Sequence, residues 1–479
     1  MIGASLLAAV LLAVLLFAFF RQDHEKEIEI PDEEVPTGVY EDGELQVNVK
    51  DFGAVGDGVT DDTENIQRAI DYANENNIKH VILPEGHYMV SLNRLVSDRY
   101  TAISLHSNIS LHLDENAVVE AIPTDQGNYA IINIVDCENV LFEGGTIIGD
   151  RFSHLGSKYS HGMGINIYNS RNVIIQKVNI RDCWGDGIYI GGRNGTQINK
   201  NILISEANIS NCRRQGISVT TGEDITIRDS IIHDIKGANP QSGIDIETNW
   251  PEAPVRNVLI ESNTFYNNGI QDVVLGGVCE DVKIINNVFD VNPSGTRQIA
   301  INVAYGNRVK VSGNDITDRQ GAISCRHANE VEIYENRISG YEDGGTLYGV
   351  GIALIDDAAN INIHDNSLQN LDKGINISGQ GENVKNISIT NNLIENIQVD
   401  GFYGYRPVNG LVLKGNVFRN IIMRYGILIN TGNDIGISGN IIEDCGAAYI
   451  IAQVGNQILI ENNVRIALFP GTHLYPAIL

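Results

Sequence analysis

The sequence is poor in proline (11), methionine (4) and tryptophan (2) among 479 residues, and aromatics make up only 6%. Positive charge is scarce too, with 33 Lys and Arg against 60 Asp and Glu, a formal net charge of −27. That balance excludes nucleic acid or an anionic membrane surface as a partner, because a phosphate backbone would be repelled. None of the six cysteines falls in a C-x-x-C spacing, so no metal site is assigned. Cys183 and Cys212 occupy the same repeat position in neighbouring coils, where either a disulfide or two stacked buried thiols would fit.

Glycine is abundant (49), and asparagine is frequent, which points to many short strands and turns. The stretch from Ile2 to Phe20 is apolar and ends at Arg21, about the length of a bilayer span. It lacks a basic leading region and a small-residue cleavage site. Residues 1–22 therefore read as an export signal or an uncleaved anchor, with residues 2–20 the tether, and the remainder lies outside the cytoplasm. The acidic stretch 23–44 reads as a flexible, solvated linker.

Twelve segments share one pattern, beginning with "NVIIQKVNI" at 172 and "NILISEANI" at 201 and ending with "QILIENNVR" at 457. The spacing is about 26 residues, in the range of stacked supersecondary units that share a continuous core. Within each unit, short runs of apolar alternation separated by Gly or Asn predict half-buried strands. Strands at equal repeat positions must stack in parallel, about 4.8 Å apart. The predicted fold is all-β, a single-stranded right-handed parallel β-helix.

One column is decisive. Asn263, Asn287, Asn314, Asn336, Asn366, Asn392, Asn416, Asn440 and Asn463 hold the same position in nine consecutive units. Stacked amides can bond up and down such a column, and Asn tolerates left-handed backbone at corners. Two residues later an inward apolar recurs, from Phe265 through Ile442. At the N-terminal end, "DDTENIQRAIDYANENN" (61–77) spaces Ile66, Ala69, Ile70 and Ala73 on one helical face, with Asp61 or Asp62 as N-cap. This predicts a capping helix within an N-terminal cap of residues 45–90. Groove-bearing coils are expected at about 127–330 and a C-terminal cap at 464–479.

"VNVKDFGAVGDGVTDDTENIQRAI" (47–70), followed by "VILPEGHYMV" (81–90), resembles the opening motif of the pectate-lyase-like β-helix superfamily. That group includes polygalacturonases, rhamnogalacturonases, epimerase-like proteins and phage tailspikes. The resemblance covers roughly residues 45–460 and implies a glycan-related role, without specifying a reaction. Of the N-T-D, D-D, G-H-G and R-x-K series of polygalacturonases, no G-H-G, no D-D pair on a β-helix strand in the expected place and no R-x-K is recognised, so their catalytic residues do not carry over. "CWGDGIYIGG", "NCRRQGISV" and "SGIDIETN" resemble exported bacterial β-helix proteins of the same superfamily.

The strands "GINIYN" (164), "GIYIGG" (187), "GISVTT" (216), "GIDIETN" (243), "DVVLGG" (272), "QIAINV" (298) and "AISCRH" (322) align with Ile165, Ile188, Ile217, Ile244, Val273, Ile299 and Ile323 inward. Period two then exposes two outward columns. One carries Tyr189, Ser218, Asp245, Val274 and Ala300; the other carries Gly191, Thr220, Glu247, Gly276, Asn302 and Arg326. Gly187 belongs to a scaffold column with Gly164, Gly216 and Gly243, whereas Gly191 and Gly192 are expected to leave open floor for a sugar ring.

Asp245 and Glu247 share one strand face, about 6.5–7 Å apart. Carboxyls roughly 6.5–9.5 Å apart suit an inverting glycosidase, and repulsion helps keep one protonated. Asp186 at the corner two coils earlier, with Arg213 and Arg214 between, completes the charged set. Trp184, Trp250 and Tyr189 offer faces for sugar stacking. His161 one coil upstream is a further acid/base or binding group, and Asn302, Arg326 and His327 would extend the groove. Irregular segments at 149–162, 191–201, 235–243 and 248–257 would wall it.

Three functions follow for an exported protein with a polysaccharide partner. The first is acid/base hydrolysis of a pectin-like or other uronate-containing glycan, with Asp245 and Glu247 as the pair and Asp186 assisting. The second is a lyase or epimerase in which the carboxylates hold Ca²⁺ and Arg214 or a tyrosine abstracts the proton. The third is a surface protein that binds glycan without turnover.

Overall fold

The computed structural model describes residues 38–466, apart from 42, 97, 159–160, 193–197, 249–254, 291–297, 380–383, 447 and 453–456. The apolar segment 2–20, the acidic stretch up to residue 37, Trp250 and residues 467–479 lie outside the described residues. Among the described residues no helix is long and apolar enough to cross a membrane.

Apolar alternation drives the chain into short strands, and tight corners wind them into a right-handed parallel β-helix. The coils build a 17-stranded and a 29-stranded sheet. All twelve repeat starts, from Asn172 to Gln457, sit in left-handed backbone, with φ between 50° and 72°. Eight of them are Asn or Asp, whose short polar side chains tolerate that conformation.

The asparagine column forms a continuous ladder. The N–H and Nδ2 of Asn314 both donate to Oδ1 of Asn336, at 3.0 and 2.9 Å, while Nδ2 also donates to the Ile284 carbonyl at 2.9 Å. The left-handed residue is the one before each ladder member, such as Asn286, Gly313 or Asp365, and not the ladder asparagine itself. The ladder residue is thereby left to bond with the coils on either side. Directly inside it the apolar column from Phe265 to Ile442 is buried, with Phe265 and Phe289 stacked 5.0 Å apart.

Helix α1 (Thr63–Glu75) buries Ile66, Ala69, Ile70 and Ala73 as its spacing predicted. Asp62 precedes it, but its carboxylate accepts from the Val55 and Gly56 N–H groups (2.7 and 2.9 Å), and Asp61 accepts from Thr63 N–H instead. The last residues of the expected linker are structured: Gly38–Val39 pairs antiparallel with Leu45–Asn48, and Tyr40 stacks on His80 and His112. All six cysteines are free, and Cys183 and Cys212 are stacked buried thiols.

The predicted strand register holds from Ile165 to Val273 and then slips by two residues. Val273 pairs with Ile301, and Ile301 with Ile323. Asn302 therefore joins the Asp245 column, beside Val274, and not the Glu247 column. Ile299 and Ile301 have the same parity, so the alternation alone fits both alignments.

Replacing Asn366 by Ala would leave the Ile333 carbonyl without its donor and Asn336 without its acceptor. Each orphaned buried group costs about 1–3 kcal/mol, so the urea midpoint should fall by an equivalent of about 3 kcal/mol. Asn409→Ala, on the exposed surface, should cost less than about 0.5 kcal/mol. Equal shifts would remove the ladder from its place in coil stability.

Candidate functional site

The strand Asp186–Gly191 enters the ribbon at Gly187, where an added Cβ would lie 2.5 Å from Ile209 Cγ2 and 2.8 Å from the Gly216 carbonyl. Gly164, Gly216 and Gly243 meet the next coil in the same way, so this column is scaffold. Gly191 differs. Its missing Cβ leaves room for the Tyr189 ring, whose atoms would lie 2.2–2.6 Å from it, and the Tyr189 hydroxyl reaches Thr220 Oγ1 at 3.1 Å. The floor expected to be open at Gly191 is occupied by tyrosine.

Asp186 is fully buried. Its Oδ2 accepts from Ser218 Oγ at 2.7 Å and from Arg214 Nη1 at 3.0 Å, while Oδ1 has no partner. Ser218 also bonds Gln215 Oε1, and Gln215 Nε2 donates to Asp245. Burial pushes Asp186 up to about 6 against the pull of Arg214.

Asp245, 3% exposed, is pushed up to about 8 by burial first and then by the charge of Glu247. Glu247 keeps 40% of its side chain exposed, and its Oε1 lies 3.9 Å from Arg214 Nη2. Arg214 thus spans the buried and the open carboxyl. It does so from a cleft of about 610 Å³ lined by Arg99, Asn128, His161, Met163, Tyr189, Arg214, Thr220 and Glu247. These residues run from the Arg99 coil to the Glu247 coil, about 24 Å along the axis.

The cleft brings together Tyr189, His161, Arg214 and Glu247, with Asp186 and Asp245 beneath. Partial desolvation, then the charges of Arg214 and Arg99, lower His161 to about 4, so its imidazole is neutral above that pH. Arg99 escaped the sequence reading. It lies upstream of the first recognised repeat, and only the register through Tyr100, Tyr129 and Gly162 aligns it with His161. Its guanidinium carbon sits 5.3 Å from the Tyr189 ring centre, and its Nη1 is buried without a partner.

The remaining predicted residues lie elsewhere. Trp184 stacks on His154 at 4.0 Å and carries the Arg213 guanidinium 3.8 Å over its ring. His154 is held by Asp150, which also bonds Tyr129, so Trp184 and Arg213 pack the loop after Ile148 and do not line the cleft. Asn302 donates to Gln271 at 2.8 Å, and Arg326 pairs with Asp356 at 2.7 Å. An R-x-K triplet does occur at Arg308-Val309-Lys310, but it lies on the 17-stranded sheet, paired to Asp281, Glu280 and Glu332.

The residues around a calcium ion in the lyase reading would be the carboxyls of Asp186, Asp245 and Glu247, with the Arg214 guanidinium among them. Burial favours a proton on Asp245, and among the described residues no three His, Cys, Asp or Glu converge as ligands.

Family models agree with this architecture. "Right handed beta helix region" matches residues 81–257 and 253–386; "Rhamnogalacturonase A/epimerase, pectate lyase-like" matches 46–111; "Periplasmic copper-binding protein (NosD)" matches 346–475. The uncharacterized protein YclG of Bacillus subtilis is 25% identical over 450 residues, covering 88% of this chain and 71% of that protein. Mannuronan C5-epimerase AlgE3 of Azotobacter vinelandii is 27% identical over 313 residues, 62% of this chain but only 14% of the epimerase. The tailspike protein of E. coli bacteriophage HK620, solved with a hexasaccharide, shares the fold at 12% identity and a TM-score of 0.56, over 88% of this chain and 82% of that one.

The Asp245 proton makes stability depend on pH. Its folded value of about 8 exceeds the ordinary 3.8, so the folded state keeps a proton that the unfolded chain releases. That contribution is full below about pH 4, declines as pH rises to about 8 and is lost beyond. Asp245→Asn has no proton to lose, so its denaturation midpoint should gain on the wild type between pH 4 and 8 and then run parallel. Parallel profiles throughout that window would show that Asp245 ionises normally.

Proposed function

The chain belongs to the right-handed β-helix family, and we propose that it acts on an acidic polysaccharide, with a uronate unit bound in the Arg99–Glu247 cleft. The observation that carries this reading is the pairing of two guanidiniums, Arg99 and Arg214, with the neutral imidazole of His161 in one cleft. Guanidinium pairs bidentately with a sugar carboxylate and stabilises the charge that develops when the adjacent carbon loses its proton. His161 accepts that proton. The Tyr189 hydroxyl, held by Thr220, returns a proton in an epimerisation; loss of the neighbouring oxygen substituent instead gives an unsaturated product. The likeness to mannuronan C5-epimerases across 62% of the chain supports the same class.

Hydrolysis is the second reading, favoured by Asp245, whose proton is held to about pH 8 beside Glu247. It ranks below proton abstraction because Asp245 is buried under Gln215 and only Glu247 of the pair reaches the cleft. Export belongs to the proposal. It is supported by the apolar segment 2–20 and by the match of residues 346–475 to the periplasmic NosD model.

The test is incubation with mannuronan and polygalacturonate in heavy water. Deuterium at the carbon bearing the carboxylate, absorbance of an unsaturated product and new reducing ends would be followed together. Exchange or absorbance is expected, reduced about 10²-fold or more in His161→Ala and in Arg214→Gln. Activity should fall as pH drops through about 4, where His161 takes up a proton. Reducing ends alone, lost in Asp245→Asn, would establish hydrolysis. Turnover indifferent to both His161→Ala and Arg214→Gln would move the site off this cleft.

A further inference from the structure

The ribbon repeats part of this arrangement farther along. Pairing runs from Asp186 through Gln215, Ser242, Gln271, Ile299, Gly321, Val350 and Lys373 to Asp400. Asp400 thus holds the position of Asp186 eight coils later, about 38 Å along the axis. The local sequences correspond: Asp186-Gly187-Ile188-Tyr189 with Asp400-Gly401-Phe402-Tyr403, and Arg214-Gln215-Gly216-Ile217 with Arg424-Tyr425-Gly426-Ile427. Gly401 makes the same close approach as Gly187, since a Cβ there would meet the Gly426 carbonyl at 2.7 Å. Arg424 Nη1 lies 3.5 Å from Asp400 Oδ2, as Arg214 does from Asp186 at 3.0 Å.

The differences point to a ligand. Where Ser218 donates to Asp186, the second place has Leu428, and the fully buried Asp400 carboxylate has no side-chain hydrogen bond, its charge being met by the Arg424 guanidinium and the Tyr425 N–H. Above it Arg424 is 42% exposed and lies over the Tyr403 and Tyr425 rings at 5.5 and 5.2 Å. Arg406 covers the exposed Tyr405 ring at 5.1 Å, and Tyr405 lies 5.8 Å from Tyr403. The hairpin of Tyr341–Asp343 and Thr346–Tyr348 stands alongside, where Leu347 N–H donates to Gln398, two residues before Asp400.

We propose that Asp400, Tyr403, Tyr405, Arg406 and Arg424 form a second, non-catalytic binding site for a segment of acidic polysaccharide. Sugar carboxylates pair with the two guanidiniums and ring faces pack on the tyrosines, while the buried Asp400 holds Arg424 in place from beneath. A chain long enough to lie along the ribbon engages both sites, and the second raises the effective concentration at the first. The ligand class rests on the function proposed above; the site rests on its own residues.

The test uses the full chain with oligomannuronate and oligogalacturonate, reading amide hydrogen exchange, affinity and turnover. Four proteins are compared: wild type, His161→Ala/Arg214→Gln, Arg424→Gln/Tyr403→Leu, and Arg424→Gln alone in case the double substitution impairs folding. The first-cleft variant should lose turnover yet keep oligomer-induced protection of residues 398–406 and 424–428. The second-site variants should lose that protection and bind long polymer about tenfold or more weakly, with turnover of short oligomers unchanged. Protection missing from the wild type, or untouched by Arg424→Gln, overturns the site. Equal protection by a neutral cello-oligomer overturns the acidic class. If only the proposed reaction is wrong, turnover is absent from every protein and the second-site protection remains.

Discussion

From Asn263 to Asn463 each coil is held to the next by the same few bonds at one corner, a position taken by Val178, Ala207 and Ser230 in the three repeats before it. A ladder asparagine ties its own N–H and amide to the coil after it and its amide to a carbonyl of the coil before. Where that corner recurs it fixes the register, and in the earlier coils the same parallel register is kept by strand pairing alone. Side chains of unrelated segments then stack into columns. The candidate site is a consequence of this stacking. Asp186, Ser218 and Asp245 are far apart in sequence, yet they meet because they lie on three successive coils.

Stacking also accounts for the electrostatics. A carboxyl between tightly spaced coils is stripped of water, and both Asp186 and Asp245 respond by holding protons at higher pH than a free carboxyl. Arg214 sets how far each shift goes, since it pairs with Asp186 and also faces Glu247. The same guanidinium, with Arg99, favours the neutral form of His161. Acidic residues dominate the whole chain, but the lining of this cleft supplies cationic groups, so a protein of net charge −27 carries a locally basic cleft.

The fold was legible because its determinants recur. Nine asparagines in one column, the glycines at 164, 187, 216 and 243, and the apolar residues two places beyond each asparagine report the same geometry independently. The site was legible only in part. Tyr189 and Glu247 followed from period two on a strand, Arg214 from its place at the start of the strand between Asp186 and Asp245, and His161 from its place one coil upstream. Arg99 did not, because it precedes the recognisable repeats and reaches the cleft only through pairing with coils whose spacing is irregular. Asn302 was assigned to the wrong column because Ile299 and Ile301 serve the core equally well on paper. Trp184 was read as a sugar platform, but its position beside the loop after Ile148 makes it a packing surface for His154 and Arg213. A corner residue's neighbours depend on how a loop folds back, which alternation does not encode.

The ladder bonds join asparagines separated by as few as 22 residues and as many as 30. Contour length is thus decoupled from stacking. A lineage carrying this fold can lengthen one turn, as the hairpin between Asn336 and Asn366 does, without disturbing the turns above and below it. Each ladder coil is an independent slot for insertion, so the walls beside the ribbon can change one at a time while the corner bonds stay the same.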